Sequence, residues 1–245
     1  MIRPLAAAPT EPVTVPPAVR TLAGDDHVTP VWRNELGGLT FRLTGATETR
    51  FVKWVAAGTP ELDLDAEAAR LTWAARYAVV PHVLDRGHDE DGSWLATAAI
   101  PGRSAVDPAW LARPKDAARA IGAGLRALHD ALPVDTCPFS WSAEERIARL
   151  DDAAREQVGP VPAVDRLVVC HGDACAPNTL VADDGAPAGH VDLGTLGVGD
   201  RWADLAVSSM SLGWNFGDGH EAAFFDAYGI APDAERIAFY RRLWT

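Results

Sequence analysis

The spacing of apolar residues divides the chain into a strand-rich first part and a helix-rich second part. Within residues 28–55, short apolar runs alternate with turn-forming residues such as Gly37-Gly38, a pattern that is typical of antiparallel strands. Two further apolar runs, at 83–84 and 94–97, are separated by turn signals and predict another hairpin. The first part of the chain is therefore expected to form an antiparallel sheet.

One helix is predicted within this strand-rich part. It begins near Asp65 and ends at Pro81, because a proline cannot continue a helix. The apolar positions of the segment recur at helical spacing, at Ala68, Leu71, Ala75 and Tyr77. We therefore expect a single helix between the third and the fourth strand.

The second part of the chain is mainly helical in its periodicity, with one predicted hairpin. Ser142 is a predicted N-cap, because Glu145 follows it in the capping-box pattern. The hairpin is predicted from the apolar runs 179–181 and 189–191. The predicted helices cover 114–132, 142–157, 203–211, 221–228 and 234–243. Strands first and helices later favour two lobes with a cleft at their junction.

These patterns predict an α+β protein of four segments. Residues 1–20 are rich in proline and are expected to form an extended arm. Residues 21–98 form the predicted N-terminal lobe, and residues 103–245 the predicted C-terminal lobe. Residues 99–102 contain a Pro-Gly pair, and such pairs commonly interrupt regular structure. We therefore expect the hinge there.

Composition and charge restrict the partners of this chain. Lys and Arg number 22 and Asp and Glu number 34, for a formal net charge of −12. This charge opposes nucleic acids and anionic membranes, and it suits a cationic small molecule or simple solubility. Three cysteines make no disulfide framework, and no segment has the apolar run of a signal peptide or a membrane span. We expect a cytoplasmic monomer or homodimer that binds a small molecule.

The strongest chemical signal lies in residues 168–194. An apolar strand leads into His171-Gly172-Asp173, and Asn178 and Asp192 follow at short distances along the chain. Phosphoryl transfer needs a carboxylate that orients a hydroxyl, and oxygen ligands that hold Mg²⁺ on the phosphates. Both kinds of group are present in this segment.

A second signal comes from lysine, of which the chain has only Lys53 and Lys115. Lys115 lies in a polar stretch, whereas Lys53 lies inside the apolar run 51–55. Burial of an ammonium group costs free energy unless the group is paired. We therefore expect an acidic partner for Lys53.

The segment 171–178 resembles the catalytic loop of the aminoglycoside phosphotransferase family, most closely that of the 3'-phosphotransferases. Further agreement lies in Cys137-Pro138-Phe139, in 197–206, in 228–230 and in 236–241. The resemblance covers roughly residues 28–243. It implies a two-lobed protein-kinase-like fold. It also implies Mg²⁺-dependent transfer of the γ-phosphate of ATP, or of GTP, to a hydroxyl of an aminoglycoside or related antibiotic, and thus antibiotic resistance.

The resemblance implies roles for the residues of the loop. Asp173 is the expected catalytic carboxylate, and Asn178 and Asp192 are the expected ligands of Mg²⁺. His171 is expected to anchor the loop. Asp204 is expected to be the buried carboxylate that binds the backbone of the loop.

The resemblance also implies a phosphate-binding pair in the first lobe. Lys53 is expected to contact the α- and β-phosphates and to be held by an acid on the predicted helix. Glu61 and Asp63 compete for this role. Glu67 is favoured because it opens the Glu-Ala-Ala-Arg-Leu sequence of the family.

Two further contacts with the nucleotide follow from the resemblance. Gly37 and Gly38 fall where the family has its phosphate-covering loop. The adenine is expected to be bound by backbone groups near Ala98 and Ile100, where the edge of an apolar strand has free N–H and C=O groups.

The substrate is less well defined by the sequence than the nucleotide. A polyamine needs carboxylates around it, because each ammonium must be paired as it leaves water. The candidates are Asp151, Asp152, Asp218, Glu221 and Asp226. The segment between Cys-Pro-Phe and His-Gly-Asp is shorter than the acidic insertion of the family, which keeps open a kinase of another small metabolite, such as a sugar or an amino alcohol.

A nucleotide-binding pseudokinase, acting as a partner or sensor, is the alternative from another class. Such a protein is expected to lack at least one of four groups. All four are present: Lys53, Asp173, Asn178 and Asp192.

Overall fold

The computed structural model describes residues 8–60 and 63–244. These residues form two compact units. The first unit consists of the residues up to 73 together with 81–99, and the second unit consists of 74–80 together with the residues from 100 onwards. The chain passes from the first unit to the second after Ala99, inside the segment expected to be the hinge. The hinge and the domain limits stay predictions. The α+β class itself is confirmed by the elements below.

The last residues of the predicted N-terminal arm are helical, not extended. Residues 1–7 lie outside the described residues, and helix α1, Pro17–Ala23, begins within the predicted arm. A proline is accepted in the first turn because its missing N–H would have no partner inside the helix. Val19 of α1 packs into an apolar cluster with Phe41. This burial stabilises a helix that the proline-rich composition did not suggest.

The first unit is built on one five-stranded sheet. Its strands are β1 His27–Arg33, β2 Leu39–Thr44, β3 Thr49–Ala56, β4 Val83–His88 and β5 Gly92–Ala98. Their order in the sheet is β1-β2-β3-β5-β4, and every neighbouring pair is antiparallel. The predicted antiparallel sheet is therefore confirmed.

Helix α2, Leu64–Ala74, is shorter than predicted. It starts before Asp65, because the Asp63 carboxylate accepts a hydrogen bond from the Ala66 N–H at 2.8 Å, as an N-cap does. It ends at Ala74, whose carbonyl accepts the N–H groups of both Tyr77 and Ala78 in a turn. Tyr77 was expected on the apolar face, but it lies beyond the helix and is 40% exposed.

The second unit contains seven helices and five short strands among its described residues. In chain order they are β6 Arg103–Ser104, α3 Pro108–Leu111, α4 Pro114–Ala131, α5 Ala143–Arg149, α6 Asp152–Val158, β7 Leu167–Cys170, β8 Thr179–Val181, β9 Pro187–His190, β10 Gly197–Asp200, α7 Trp202–Phe216, α8 Glu221–Tyr228 and α9 Ala234–Arg242. Strand β10 pairs with β7, and a second small sheet has the order β6-β8-β9. The hairpin of β8 and β9 is the predicted one.

Helix α4 forms the centre of the second unit. Its apolar stripe, including Ile121 and Leu125, is buried. A Cβ atom at Gly122 would overlap the carbonyl oxygen of Phe224 on α8, so this position must be glycine for the two helices to pack closely. The long central helix thus supports the elements that carry the site.

The single helix predicted over 142–157 is wrong, because the structure has α5 and α6 in its place. Asp151 interrupts the helix by acting as an N-cap: its carboxylate accepts from the Ala154 N–H at 2.8 Å. Arg155 then donates to three carbonyl oxygens at the end of α5, those of Ile147, Ala148 and Leu150. Helical periodicity continued across the break, so the pattern alone did not reveal it.

None of the helices within residues 8–60 and 63–244 is both long enough and apolar enough to cross a membrane.

Candidate active site

Lys53 and Glu67 form an ion pair in the first unit. Lys53 lies on β3 and Glu67 on α2, and Lys53 Nζ donates to Glu67 Oε1 at 2.6 Å. The Glu67 side chain is 7% exposed and that of Lys53 is 27% exposed, so the acid is the more deeply buried member of the pair. Of the two competitors of Glu67, Asp63 caps α2, and Glu61 lies outside the described residues.

Strands β7 and β10 fix both ends of the loop that carries Asp173. They pair antiparallel, and the loop leaves β7 at Cys170. Gly172 follows with φ of 87°, a conformation that L side chains rarely adopt. A Cβ atom at Gly172 would also overlap the carbonyl oxygen of Thr195. The turn before Asp173 therefore requires glycine for two independent reasons.

Asp204 holds the backbone of this loop from α7. Its carboxylate is fully buried and accepts the N–H of His171 at 2.6 Å and that of Gly172 at 2.9 Å. Burial alone would raise the pKa of Asp204, but the hydrogen bond and charge of His129, with the other donors, lower the pKa below its usual range. Asp204 is therefore ionised in the folded protein at neutral pH.

His129 is a member of this network that the sequence did not reveal. It lies on α4, and its Nε2 donates to Asp204 Oδ2 at 2.9 Å. Its Nδ1 accepts from the Tyr228 hydroxyl at 2.9 Å, and burial raises the pKa of Tyr228 to about 12, so that the hydroxyl keeps its proton. Nothing in the sequence pattern distinguishes it from an isolated solvent or packing histidine. The structure makes it a buried hydrogen-bonding partner of the loop anchor.

His171 lies inside the loop and is fully buried. Its Nδ1 accepts from the Asp173 N–H at 3.3 Å, and its Nε2 donates to the carbonyl of Val191 at 3.0 Å. The ring stands edge-on to His190, whose pKa is lowered to about 3 by burial. The imidazole of His171 thus joins the loop to the strand that leads to Asp192.

The carboxylate of Asp173 combines burial with an unused hydrogen-bond acceptor. Its Oδ2 accepts from Asn178 Nδ2 at 3.1 Å, while its Oδ1 is buried without a hydrogen-bond partner among the described residues. Burial, together with the charge of Asp192, raises the pKa of Asp173, although the Cys175 thiol, His171 and Asn178 act in the opposite direction. An unsatisfied buried oxygen is costly, and a donor such as an alcohol would satisfy it.

Asn178 and Asp192 supply oxygen atoms close to this carboxylate. Asn178 Nδ2 is occupied by Asp173, to whose carbonyl it also donates at 2.9 Å, so the other end of the amide, Oδ1, is directed elsewhere. The carbonyl of Asn178 accepts the N–H of Val191 at 3.0 Å, which places Asp192 next along the chain. Asp192 has φ of 65° and is the one described non-glycine residue with positive φ.

These two side chains fit a magnesium ion that is shared with phosphates. Mg²⁺ prefers oxygen ligands and commonly takes only one or two from the protein. Among residues 8–60 and 63–244, no group of three or more His, Cys, Asp or Glu could hold a metal ion. The donor set of one amide and one carboxylate suits Mg²⁺ bound together with a nucleotide.

Helix α7 also holds the second half of the loop, through serines that the sequence analysis did not single out. Ser208 Oγ donates to the carbonyl of Ala174 at 2.6 Å, and Ser211 Oγ accepts the N–H of Ala176 at 2.9 Å. Both hydroxyl groups lie on a buried helix. A helical repeat of Asp204, Ser208 and Ser211 was visible in the sequence, but nothing indicated what it faced.

The backbone groups that are expected to contact the nucleotide differ in their hydrogen bonding within the structure. Gly37 and Gly38 form the turn between β1 and β2, where Gly38 N–H donates to the Asn34 side chain at 2.7 Å. The expectation of a free N–H at Ala98 is wrong, because this group donates to the carbonyl of His82 at 2.9 Å. The N–H of Ile100 forms no hydrogen bond to the described part of the chain.

The five carboxylates proposed for the substrate are dispersed, and several are already engaged. Asp151 caps α6, Asp152 pairs with Arg155 at 3.1 Å, and Glu221 pairs with Arg241 at 2.8 Å. The two others, Asp218 and Asp226, are exposed on the turn before α8 and on α8 itself. The structure does not bring all five together.

The sheet with its Lys–Glu pair, and the anchored loop with its carboxylate and oxygen donors, define a protein-kinase-like phosphotransferase. Comparison with known proteins then gives the family. The sequence model of the phosphotransferase enzyme family matches residues 32–240, and the chain belongs to this family.

Curated relatives and solved structures agree with this assignment. The chain is 35% identical to an aminoglycoside 3'-phosphotransferase of Streptomyces fradiae, over 84% of this chain and 90% of that protein. It is 34% identical to a streptomycin 3''-kinase of Streptomyces griseus, over 87% and 89% of the two chains. The resemblance noted in the sequence is thereby confirmed.

Among solved structures, an aminoglycoside 3'-phosphotransferase of type VIII is similar with a TM-score of 0.77 and 32% identity, over 92% of this chain and 95% of that chain. An aminoglycoside phosphotransferase from Streptomyces rimosus, in complex with ADP and streptomycin, is similar with a TM-score of 0.68 and 28% identity, over 92% and 94%. These similarities confirm the protein-kinase-like fold expected from the sequence.

Proposed function

We propose that this protein transfers the γ-phosphate of ATP to a hydroxyl group of an aminoglycoside, with Mg²⁺ as the required ion. The observation that carries the proposal is the Asp173 carboxylate, which is buried, anchored and left with one acceptor oxygen unused. The relatives that are named as acting on aminoglycosides support this substrate class.

Asp173 orients the acceptor. The hydroxyl of the substrate donates to Asp173 Oδ1, and its oxygen forms a bond to the γ-phosphorus while the bond from that phosphorus to the β,γ-bridging oxygen breaks. The proton of the hydroxyl passes to Asp173, and ADP leaves. The raised pKa of Asp173 favours acceptance of this proton, but positioning contributes most of the rate in phosphoryl transfer.

The nucleotide is bound by two sets of residues in this proposal. Lys53, held by Glu67, contacts the α- and β-phosphates, and Asn178 Oδ1 and Asp192 hold Mg²⁺. When bound there, the ion would supply positive charge next to the phosphate oxygens. The cost of holding an ammonium group near the protein interior is offset by its ion pair with Glu67.

The remaining nucleotide contacts belong to the same proposal. Gly37 and Gly38 cover the phosphates, and the adenine is bound through the backbone at Ile100 and the carbonyl of Ala98. These contacts do not by themselves select between ATP and GTP. A competition assay in which each nucleotide is offered at equal concentration measures the preference.

The substrate is cationic in this proposal, in keeping with the net charge of −12. Because three of the five candidate carboxylates are capping groups or ion-pair partners, we assign the substrate ammonium groups first to Asp218 and Asp226. We further propose a cytoplasmic monomer or homodimer. Sedimentation equilibrium tests the oligomeric state, and a larger assembly would contradict it.

The experiment is an ADP-release assay with ATP and Mg²⁺ across neomycin, kanamycin and streptomycin, with mass spectrometry of the products. Asp173→Asn is expected to abolish turnover, while the exposed Asp135→Asn serves as a matched control of the same chemistry. A purified, folded protein that phosphorylates none of these compounds would contradict the aminoglycoside substrate. Turnover of a sugar or an amino alcohol in the same assay would instead establish the alternative kinase, and ATP binding without any turnover would establish the pseudokinase.

A further inference from the structure

Arg146 on α5 is a half-buried cation without an anionic partner. Within residues 8–60 and 63–244, its guanidinium forms neither an ion pair nor a hydrogen bond to another group. It lies instead over the ring of Trp141, with its Cζ atom 4.8 Å from the ring centroid. Partial removal of a charge from water costs free energy, and a cation–π contact offsets only part of this cost. The position of Arg146 is therefore suited to an anion that the chain itself does not supply.

Trp141 holds this guanidinium against the strands that bound the catalytic loop. Trp141 is buried, and its backbone N–H donates to the carbonyl of Val198 on β10 at 2.8 Å. A Cβ atom at Gly199 would lie 3.4 Å from Trp141 Cβ and 3.3 Å from the sulfur of Cys170. Because Cys170 is the last residue of β7, Trp141 lies next to the point where the chain enters the loop. Arg146, stacked on Trp141, is held near the start of this loop.

Two carboxylates of the loop and its anchor act on the charge of Arg146. Burial is the main influence on its pKa and lowers it, as does the charge of Arg149. The charges of Asp173 and Asp204 raise the pKa of Arg146 in return. Interactions between charges weaken with distance and with exposure to water, so the guanidinium lies in the neighbourhood of both acids. It keeps its positive charge there, because arginine is not deprotonated in proteins.

Arg146 and Asp173 are neighbours that leave each other's hydrogen-bonding groups free. Asp173 Oδ1 is buried and accepts no hydrogen bond from the described part of the chain. An acceptor oxygen and a fork of N–H donors are thus both available at the loop. In the proposed reaction, the oxygen accepts the substrate hydroxyl. The donors need an anion, which a substrate with ammonium groups does not offer, whereas the γ-phosphoryl group must come to this same hydroxyl.

We propose that Arg146 is a further catalytic residue, whose guanidinium donates hydrogen bonds to oxygens of the γ-phosphoryl group while that group is transferred. The inference rests on the proposed function, because it places the γ-phosphorus beside the hydroxyl that Asp173 orients. The bonds change as in that reaction: the hydroxyl oxygen binds phosphorus, ADP leaves, and the proton passes to Asp173. Arg146 gives up no proton and supplies positive charge next to the transferred oxygens, over which negative charge is spread.

The test compares Arg146→Met, Arg146→Ala and Arg146→Lys with wild type, with neomycin as the acceptor. Arg146→Met keeps an apolar stem that packs on Trp141, so it separates the loss of charge from the loss of packing. In Arg146→Met and Arg146→Ala, kcat is expected to fall about 100-fold, as for the loss of other donors to a transition state. Arg146→Lys keeps the charge without the planar fork of donors, and it is expected to retain about a tenth of the wild-type kcat.

A binding measurement supplies a second readout. ADP lacks the γ-phosphoryl group, so its Kd by calorimetry is expected to stay within about two-fold of wild type in all three variants. ADP with aluminium fluoride imitates the transferred group, and in the presence of neomycin it is expected to bind Arg146→Met at least about ten-fold more weakly than wild type. Arg149→Ala is the matched control, because it removes an exposed arginine of the same helix, and it is expected to behave as wild type in both assays.

The outcomes separate this inference from the proposed function. A folded Arg146→Met enzyme whose kcat stays within about two-fold of wild type would overturn the inference and leave the proposed function intact. An equal loss of affinity for ADP and for ADP with aluminium fluoride would also contradict it, because Arg146 would then act on the nucleotide site as a whole. A wild-type protein that phosphorylates no acceptor would overturn the proposed function, and the inference with it.

Discussion

The anchor of the catalytic loop gives the sharpest prediction, through Asp204→Asn. Asp204 accepts three hydrogen bonds, from the N–H groups of His171 and Gly172 and from His129 Nε2. An asparagine of the same size replaces one carboxylate oxygen with an NH₂ group, which then faces a donor. The variant loses the charge and leaves at least one buried N–H without a partner.

The magnitude follows from these contacts. A hydrogen bond to an ionised group contributes about 1.5–3 kcal/mol, and an unsatisfied buried donor costs about 1–3 kcal/mol. We therefore expect Asp204→Asn to lower the free energy of unfolding by about 3 kcal/mol, or Tm by about 10 °C for a chain of this size. Displacement of the loop by about 1 Å is expected to lower kcat about 100-fold.

The pH dependence of this effect has a definite sign. Because the pKa of Asp204 is lower in the folded than in the unfolded protein, its ionised form stabilises the fold above the unfolded pKa, and this contribution is lost as the pH falls through the folded pKa. The difference in Tm between wild type and Asp204→Asn is therefore expected to be largest near pH 7 and to shrink below about pH 4.

Differential scanning calorimetry between pH 3 and pH 8 measures both quantities, with Asp135→Asn as the control on an exposed carboxylate. An Asp204→Asn protein that melts within about 2 °C of wild type at pH 7, with normal kcat, would refute the reasoning. A deficit in Tm that stays constant down to pH 3 would refute the ionic part of it alone.

Three further predictions concern Lys53 in the first unit and Gly172 and His129 in the second unit. Lys53→Met is expected to raise KM for ATP and to lower kcat/KM by at least about 100-fold by removing a phosphate-binding ammonium group, whereas Lys115→Met leaves both unchanged. An equal loss in the two variants would contradict the role of the buried pair. Gly172→Ala is expected to reduce soluble, folded protein severely, because the position combines positive φ with a blocked Cβ; Gly185→Ala, at φ of 91° with a Cβ site free of close contacts, is expected to cost only about 1 kcal/mol. His129→Phe is expected to destabilise the protein by about 3 kcal/mol, by leaving a buried carboxylate short of a donor. A normal melting curve for His129→Phe would contradict this role of His129.

Local sequence signals were sufficient for the elements and residues that act over short distances along the chain. The strands of the first unit followed from alternating apolar runs and turn residues, and the hairpin of β8 and β9 followed in the same way. The segment 171–192 carries the proposed catalytic carboxylate and the proposed Mg²⁺ ligands close together along the chain. Such contacts depend on spacing, which a single sequence displays directly.

Contacts across long stretches of chain could not be predicted in this way. His129 forms hydrogen bonds with Asp204 and Tyr228, which lie 75 and 99 residues further along the chain. The sequence shows that His129 lies on a helix with an apolar stripe, but it does not show which residues are its partners. The break at Asp151 depends likewise on a competing N-cap and on Arg155, both of which fit a continuous helical pattern equally well.

The left-handed backbone of Asp192 has a consequence for the evolution of the enzyme. Among the described residues, Asp192 is the one side chain that occupies a conformation better suited to glycine, at a cost of about 1 kcal/mol. Selection for thermal robustness alone would therefore favour replacement of this carboxylate by glycine. That an acid stands there indicates that its chemistry outweighs the conformational strain, so a stabilised descendant of this protein would have to gain its stability at another position.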